Sequence, residues 1–233
     1  MGQHSGIGVL DKAVAVLQAV AGEPCGLAEL CERTGLPRAT AHRLAVGLEV
    51  HRMLRRGSDG RWRPGTALTE MAGGAVDPLL DAASSVLPKL REVTGESVQL
   101  YRRDGMQRLC VASAEPPSGL RDTVPVGTSL PMAAGSAAKV LAAWADQATQ
   151  RAVLMEAVFG ERTLLETRRR GWAQSVAERE SGVASVSSPV RDSGNNVVAA
   201  ISVSGPIDRM GRRPGSRWAA DLVAAADGLQ NRL

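Results

Sequence analysis

Within three residues, Gly35-Leu36-Pro37, the chain carries a helix stop followed at once by a helix start. Glycine reaches the left-handed backbone that ends a helix, and proline is tolerated in the first turn of the next. The flanking segments are therefore two short helices joined by a tight corner. Leu27, Leu30 and Cys31 supply the apolar face of the first, and Ala41, Leu44, Ala45 and Leu48 share a face of the second. Upstream, Leu10, Val14, Leu17 and Ala21 fall at helical spacing and predict an earlier helix that ends near Gly22. Downstream come Met53 to Arg56, the turn Gly57-Ser58-Asp59-Gly60, and Arg61-Trp62-Arg63. Asp-Gly between two short segments signals a hairpin. Three helices and a hairpin predict a winged helix-turn-helix.

Charge is concentrated in this same stretch. Arg33 to Arg63 holds eight arginines against Glu49 and Asp59, a net of +6, whereas the whole chain of 233 residues is only +4. The other 202 residues together carry −2. A local excess of this kind attracts polyanions. On the helix that follows Pro37, Ala39, Arg43 and Val46 lie opposite the apolar face, flanked by Arg38, Thr40 and His42. The first turns of a recognition helix meet base edges, where Arg43 can donate bidentately to guanine and Ala39 can touch a thymine methyl. Thr40 and His42 suit phosphate or base. Arg55, Arg56, Arg61 and Arg63 on the hairpin are expected on the DNA backbone or in the minor groove. A solvated basic face is the alternative; the coincidence of charge, corner and wing favours double-stranded DNA.

Past Gly65 a short helix is expected over residues 67–72, broken at Gly73-Gly74, which sets the domain boundary between residues 74 and 75. Asp77 and Pro78 are an N-cap and first residue of the next helix, with stripe Leu80, Ala83, Leu87 and Leu90 and a stop at Gly95. Pro88 inside it predicts a kink or a break. Strands are expected over residues 98–102, 109–114, 183–191 and 197–204, the last two joined by Asp192-Ser193-Gly194-Asn195-Asn196. Helices are expected over 136–144 and 148–170, and from Ser216 with Trp218, Leu222, Ala225 and Leu229 on one face. The mixture makes residues 75–233 an α+β sensor-like domain behind a DNA-binding domain of residues 1–74.

Several chemistries are disfavoured. His4, His42 and His51 are all the histidines in the chain, so residues beyond 51 have no imidazole base or ligand. Cys25, Cys31 and Cys110 form no C-x-x-C pair and no even disulfide set. Cys110, between Leu109 and Val111, is expected buried and inert. Arg168-Arg169-Arg170 before Gly171 is expected as the cationic last turn of a helix. No metal, cofactor or catalytic residue is assigned. No stretch is long and apolar enough to span a membrane, and the first residues carry no secretory pattern, so a cytoplasmic protein is expected.

Residues Ser5 to Val20, Leu27-Ala28-Glu29-Leu30 and Thr34 to Leu44 resemble the N-terminal domain of IclR-type bacterial transcriptional regulators. Three later blocks resemble the same family: Leu130 to Lys139, Arg169-Arg170-Gly171-Trp172 with Gly182 to Ser185, and Val197 to Pro206. Within it, the chain is most similar to actinobacterial regulators associated with leucine and other amino-acid biosynthesis genes. The resemblance implies a GAF-like C-terminal domain that binds a small effector, often a carboxylate or aromatic acid. Its effector positions correspond here to Ser136, Ala137, Ser175, Val183, Ser185, Ser202 and Ser204. Ser202 and Ser204 are two apart on a strand and share a face, as do Val183 and Ser185. N–H groups at a helix start near Ser136 would favour an anion. Where some relatives have Asp and Cys, this chain has Ser175 and Ser185, so no relative's ligand transfers directly.

The expected protein is therefore a repressor acting as a homodimer or dimer of dimers on operator DNA, governed by an amino acid or keto acid. The alternatives are a small-molecule enzyme fused to a DNA-binding head and a DNA-binding oligomer without a ligand.

Overall fold

A chain with a helical corner and separate runs of strands has two cores to build. The computed structural model describes residues 5–73 and 77–233, and it forms two compact units divided just before Asp77. The expected boundary at residues 74/75 lies outside the described residues.

The first unit contains α1 (Gly8–Ala21), α2 (Leu27–Thr34), α3 (Arg38–Val50), β1 (Leu54–Arg56), β2 (Trp62–Pro64) and α4 (Thr66–Gly73). The corner forms as expected. Gly35 ends α2 in the left-handed region (φ 67°), donating its N–H to the Cys31 carbonyl at 2.8 Å. Pro37 is the N-cap of α3 rather than its first helical residue. β1 and β2 pair antiparallel, with Leu54 opposite Pro64. Trp62 anchors this wing: it is 2% exposed and exchanges two backbone hydrogen bonds with Cys25.

The core consists of Val16, Val20, Cys25, Leu30, Ala41, Ala45, Leu48, Leu54 and Trp62. This corrects the face assigned to α1. Leu10 and Val14 are 49% and 41% exposed, while Val16 and Val20 are buried. α1 is apolar around most of its circumference, so periodicity alone cannot choose the side that packs.

In the second unit, α5 (Pro78–Thr94) precedes β3 (Ser97–Asp104), β4 (Gln107–Ala114) and β5 (Ser129–Pro131). Then come α6 (Ser136–Ala143), α7 (Gln147–Glu156), α8 (Glu161–Arg170), β6 (Ala173–Val176), β7 (Val183–Arg191) and β8 (Val197–Pro206). α9 (Ile207–Met210) and α10 (Pro214–Gln230) end the chain. The sheet order is β5-β4-β3-β8-β7-β6, antiparallel throughout.

Helices cover both faces. On β8, Ala199, Ile201 and Val203 join the core formed with α5 and α10. Ala200, one residue out of phase, belongs to the core formed with α6. Ser202 and Ser204 follow Ala200 in phase on the α6 side.

Asp77 caps α5 as expected, accepting from the Leu79 N–H at 3.2 Å, and Gly95 closes the helix. Two expectations fail, and of the kink or break expected at Pro88 the break does not form. α5 runs through Pro88 without a break and buries Leu79 in place of Leu80. The helix over 148–170 is two helices. Val158 N–H turns to the Ala133 carbonyl at 2.9 Å and Phe159 enters the core, so Gly160 starts α8 afresh. The short strands β5 and β6 had no assignment.

Arg102 pairs with Asp77, with one hydrogen bond at 3.0 Å, and holds its carboxyl below the ordinary carboxylate range. A depressed folded-state pKa stabilises above the unfolded value and loses that contribution as pH falls through the folded one. Asp77→Ala should therefore destabilise the second unit by about 1 kcal/mol from the cap alone at pH 7. The gap from the parent should close below about pH 4 in denaturant titrations.

Candidate nucleic-acid interface and effector cleft

Eight arginines in one stretch imply more free charge than the fold leaves. Arg33 donates to the Ala19 carbonyl at 2.9 Å and lies 3.6 Å from Glu23. Arg52 pairs with Glu70 at 2.5 Å. Arg56 stacks 4.5 Å over the Trp62 ring, 3.8 Å from Glu49. Arg63 reaches Asp59 at 2.7 Å. Arg61 donates to the Pro24 carbonyl at 3.1 and 2.8 Å and to both Glu29 oxygens at 2.8 and 2.6 Å. Among the described residues, the side chains of Arg38, Arg43 and Arg55 have no ion pair or hydrogen bond. The first two lie on α3 and the third on β1.

This redistributes the expected roles. Arg38, Ala39, His42 and Arg43 are exposed on α3, and Thr40 is half-buried beside them. His42 does not stand free: its ring meets Trp62 edge-on at a centroid distance of 6.0 Å. Of the four wing arginines expected on DNA, Arg55 alone is uncommitted within the described residues. Exposed pairs contribute little, so Arg56 and Arg63 can exchange their acids for a phosphate. Arg61 is different, because its guanidinium joins the wing to the start of α2. Glu29 in turn accepts the Gly26 N–H at 2.8 Å; that bond first, and Arg61 second, lower its pKa.

In the second unit, the seven positions taken from the family resemblance come together. Ser136, Ala137, Ser175, Val183, Ser185, Ser202 and Ser204 all line one cleft between the N-terminus of α6 and the sheet. Their hydroxyls are largely spent on one another. Ser136 Oγ lies 2.7 Å from both Ser185 Oγ and Ser187 Oγ, and Ser187 donates to Ser202 at 3.0 Å. Ser204 donates to Gln99 at 3.0 Å. The cleft leaves a cavity of only about 20 Å³. That is room for about one water. Ser175 also faces a wider groove lined by Lys139, Gln174 and Glu178.

Sequence reasoning missed the charged part of this cleft: Arg108, Asp122 and Arg179, with Tyr101 beside them. Arg179 pairs with Asp122 at 2.6 Å. Arg108 shares its strand face with Cys110, and that spacing of two was the available signal for burial. Cys110 is buried as expected, its thiol pushed up to about 11 by desolvation.

A winged helix-turn-helix with exposed cations on its second corner helix, in a chain that also carries a sheet domain with an internal cleft, defines a class of DNA-binding regulator. Residues 9–58 match the IclR helix-turn-helix domain, and residues 75–231 match the bacterial transcriptional regulator IclR C-terminal domain. The chain belongs to the IclR family of DNA-binding transcriptional regulators. It is 29% identical to the glycerol operon regulatory protein of Streptomyces griseus, covering 93% of this chain and 91% of that one. It is 27% identical to the transcriptional repressor IclR of Escherichia coli K12, covering 86% and 80%. An IclR homologue from Microbacterium hydrocarbonoxydans, solved with 4-hydroxybenzoate, superposes with a TM-score of 0.82 at 23% identity, covering 97% and 98%. These relatives are regulators, not enzymes. No helix among the described residues is long and apolar enough to cross a membrane, and they contain no cluster of metal-ligating side chains.

If Arg61 acts by holding the wing to α2, Arg61→Ala should speed amide exchange of the wing, and Glu29→Gln should speed it by a smaller factor because the bonds from Arg61 to Pro24 remain. Faster exchange in only one of the two would show that the pair is not what holds it.

Proposed function

We propose that this chain is an effector-controlled repressor. Two copies, or two pairs of copies, would place α3 of each head in successive major grooves of a pseudo-palindromic operator. Residues 1–74 would bind DNA, and residues 75–233 would hold the effector and assemble the oligomer. The observation that carries the DNA reading is the set of uncommitted cations, Arg38, Arg43 and Arg55, on the corner helix and the wing. Arg43 reads guanine and Ala39 a thymine methyl; Thr40 and His42 lie beside them, Arg38 and Arg55 contact phosphate, and Arg56 and Arg63 follow by exchanging partners. Arg61 supports the wing. Leu10 and Val14, left exposed on α1, offer an apolar face to the second head. The resemblance to actinobacterial regulators supports leucine and other amino-acid biosynthesis genes as targets, and the repressor among the relatives supports repression. The protein acts in the cytoplasm, where its DNA is.

The effector is a small molecule of amino-acid or keto-acid type, held by Ser136, Ala137, Ser175, Val183, Ser185, Ser202 and Ser204. Because the cleft is almost closed, binding requires it to open, and a ligand that favours the open form shifts DNA affinity by that preference. The same tightness supports a second reading, in which the serines only pack the sheet and the domain only oligomerises.

A gel shift with DNA upstream of the chain's own gene tests the first reading. Binding should be saturable and should weaken steeply with salt. Arg43→Ala should narrow the gap between operator and random DNA by about 10- to 100-fold, the worth of a bidentate base contact. Arg55→Ala should weaken both alike and reduce the salt slope by about one per head. Absent or salt-insensitive binding would contradict the proposal.

A further inference from the structure

Arg108 is 3% exposed, yet among the described residues no carboxylate lies within ion-pair distance of it. One guanidinium nitrogen donates to the Pro131 carbonyl, while the buried Nε has no partner. The group sits 5.6 Å from the centre of the Tyr101 ring. On its other side is Gly135, where an added Cβ would lie 3.1 Å from Nη2. Gly135 is the N-cap of α6 at φ 99° and donates its own N–H to Glu178 at 3.2 Å, while among the described residues no side chain accepts from the first-turn N–H groups. Glu178 is itself paired with Lys139, so a buried cation still faces the partially positive end of a helix, which is unfavourable on both counts. Desolvation pulls the Arg108 pKa down to about 10, so it still carries its charge at neutral pH. An anion between the two would offset both penalties at once.

We infer that Arg108 is the specificity-determining residue of the cleft: its guanidinium and the α6 N-terminus take the carboxylate of a small acid that carries no ammonium group. This rests on the reading of the cleft as the effector site. The discrimination follows from the charges present. An ammonium needs an acceptor, and the nearby carboxylates are taken: Asp122 is held by Arg179 at 2.6 Å, and Glu178 by Lys139 and the Gly135 N–H. A second cation would also stand close to Arg108 and to the helix end. By contrast, an oxo or hydroxyl oxygen beside the carboxylate can take over hydrogen bonds that Ser185 and Ser202 now make within the serine network.

Calorimetric titration of the full chain with pyruvate, 2-oxoisovalerate and 2-oxoisocaproate, against alanine, valine and leucine, tests this. At least one 2-oxo acid should bind, and its amino acid should bind at least tenfold more weakly, about what a charge-assisted hydrogen-bond pair is worth. Arg108→Gln should lose at least about tenfold in affinity for the acid, with Arg108→Lys between the two. Without ligand, Arg108→Gln should melt no lower than the parent, because an unpaired buried charge has gone; a structural arginine would give a lower melting point. Unchanged acid binding by Arg108→Gln, or equal binding of the acid and its amino acid, would overturn the inference. Binding lost in Ser185→Val but kept in Arg108→Gln would remove Arg108 and leave the cleft standing. Binding unaffected by either substitution would remove the cleft itself. No binding of any acid, with Arg108→Gln melting lower, would also overturn it.

Discussion

A sheet covered on both faces is under pressure to pair the polar side chains it carries, because a hydroxyl taken out of water without a partner costs about 1–3 kcal/mol. β8 meets this demand asymmetrically. Ala199, Ile201 and Val203 pack against α5 and α10, while Ser202 and Ser204 face the α6 side. There the hydroxyls can be satisfied only by one another, by Gln99 or by a guest. In the structure they satisfy one another, from Ser185 through Ser136 and Ser187 to Ser202. A half-satisfied network is worse than either extreme. On the proposed reading the cleft has two arrangements, closed on its own hydroxyls or open around a ligand that replaces them, and a regulator of the proposed kind needs such a pair of states.

The head follows a related economy of charge. Its basic stretch looks from composition like a uniform cationic surface, but Glu23, Glu29, Glu49, Asp59 and Glu70 each take an arginine. Those pairs shape the wing and the helix ends. What remains uncommitted is small and placed on the corner helix and the wing. Trp62 links these parts: its backbone joins the loop before α2, its ring meets His42, and its face carries Arg56.

Features encoded locally were legible in the sequence. The Gly35-Leu36-Pro37 corner, the Asp59-Gly60 turn and the Asp77-Pro78 cap each depend on backbone preferences of two or three residues. The seven cleft positions were reached through family motifs, and strand alternation explained why Ser202 and Ser204 share a face. What failed depended on distant partners. α1 is apolar on two sides, and only the packing of α2 and α3 decides that Val16 and Val20 go inward. The break before Gly160 is made by the Ala133 carbonyl, 25 residues away. Arg61 reads as a DNA contact until Pro24 and Glu29 are brought beside it. Arg108 reads as an ordinary strand arginine until the fold buries it against Tyr101 and Gly135.

The head and the cleft form one regulator only if occupancy of one alters the other. Linkage makes that testable in a single quantity: the dissociation constant of the acid measured calorimetrically with the full chain free and with the full chain saturated by its operator DNA. A coupled regulator must show different constants, in the same ratio by which the acid changes the DNA affinity, typically about 5- to 150-fold. Identical constants in the two titrations would mean that the cleft does not govern the head.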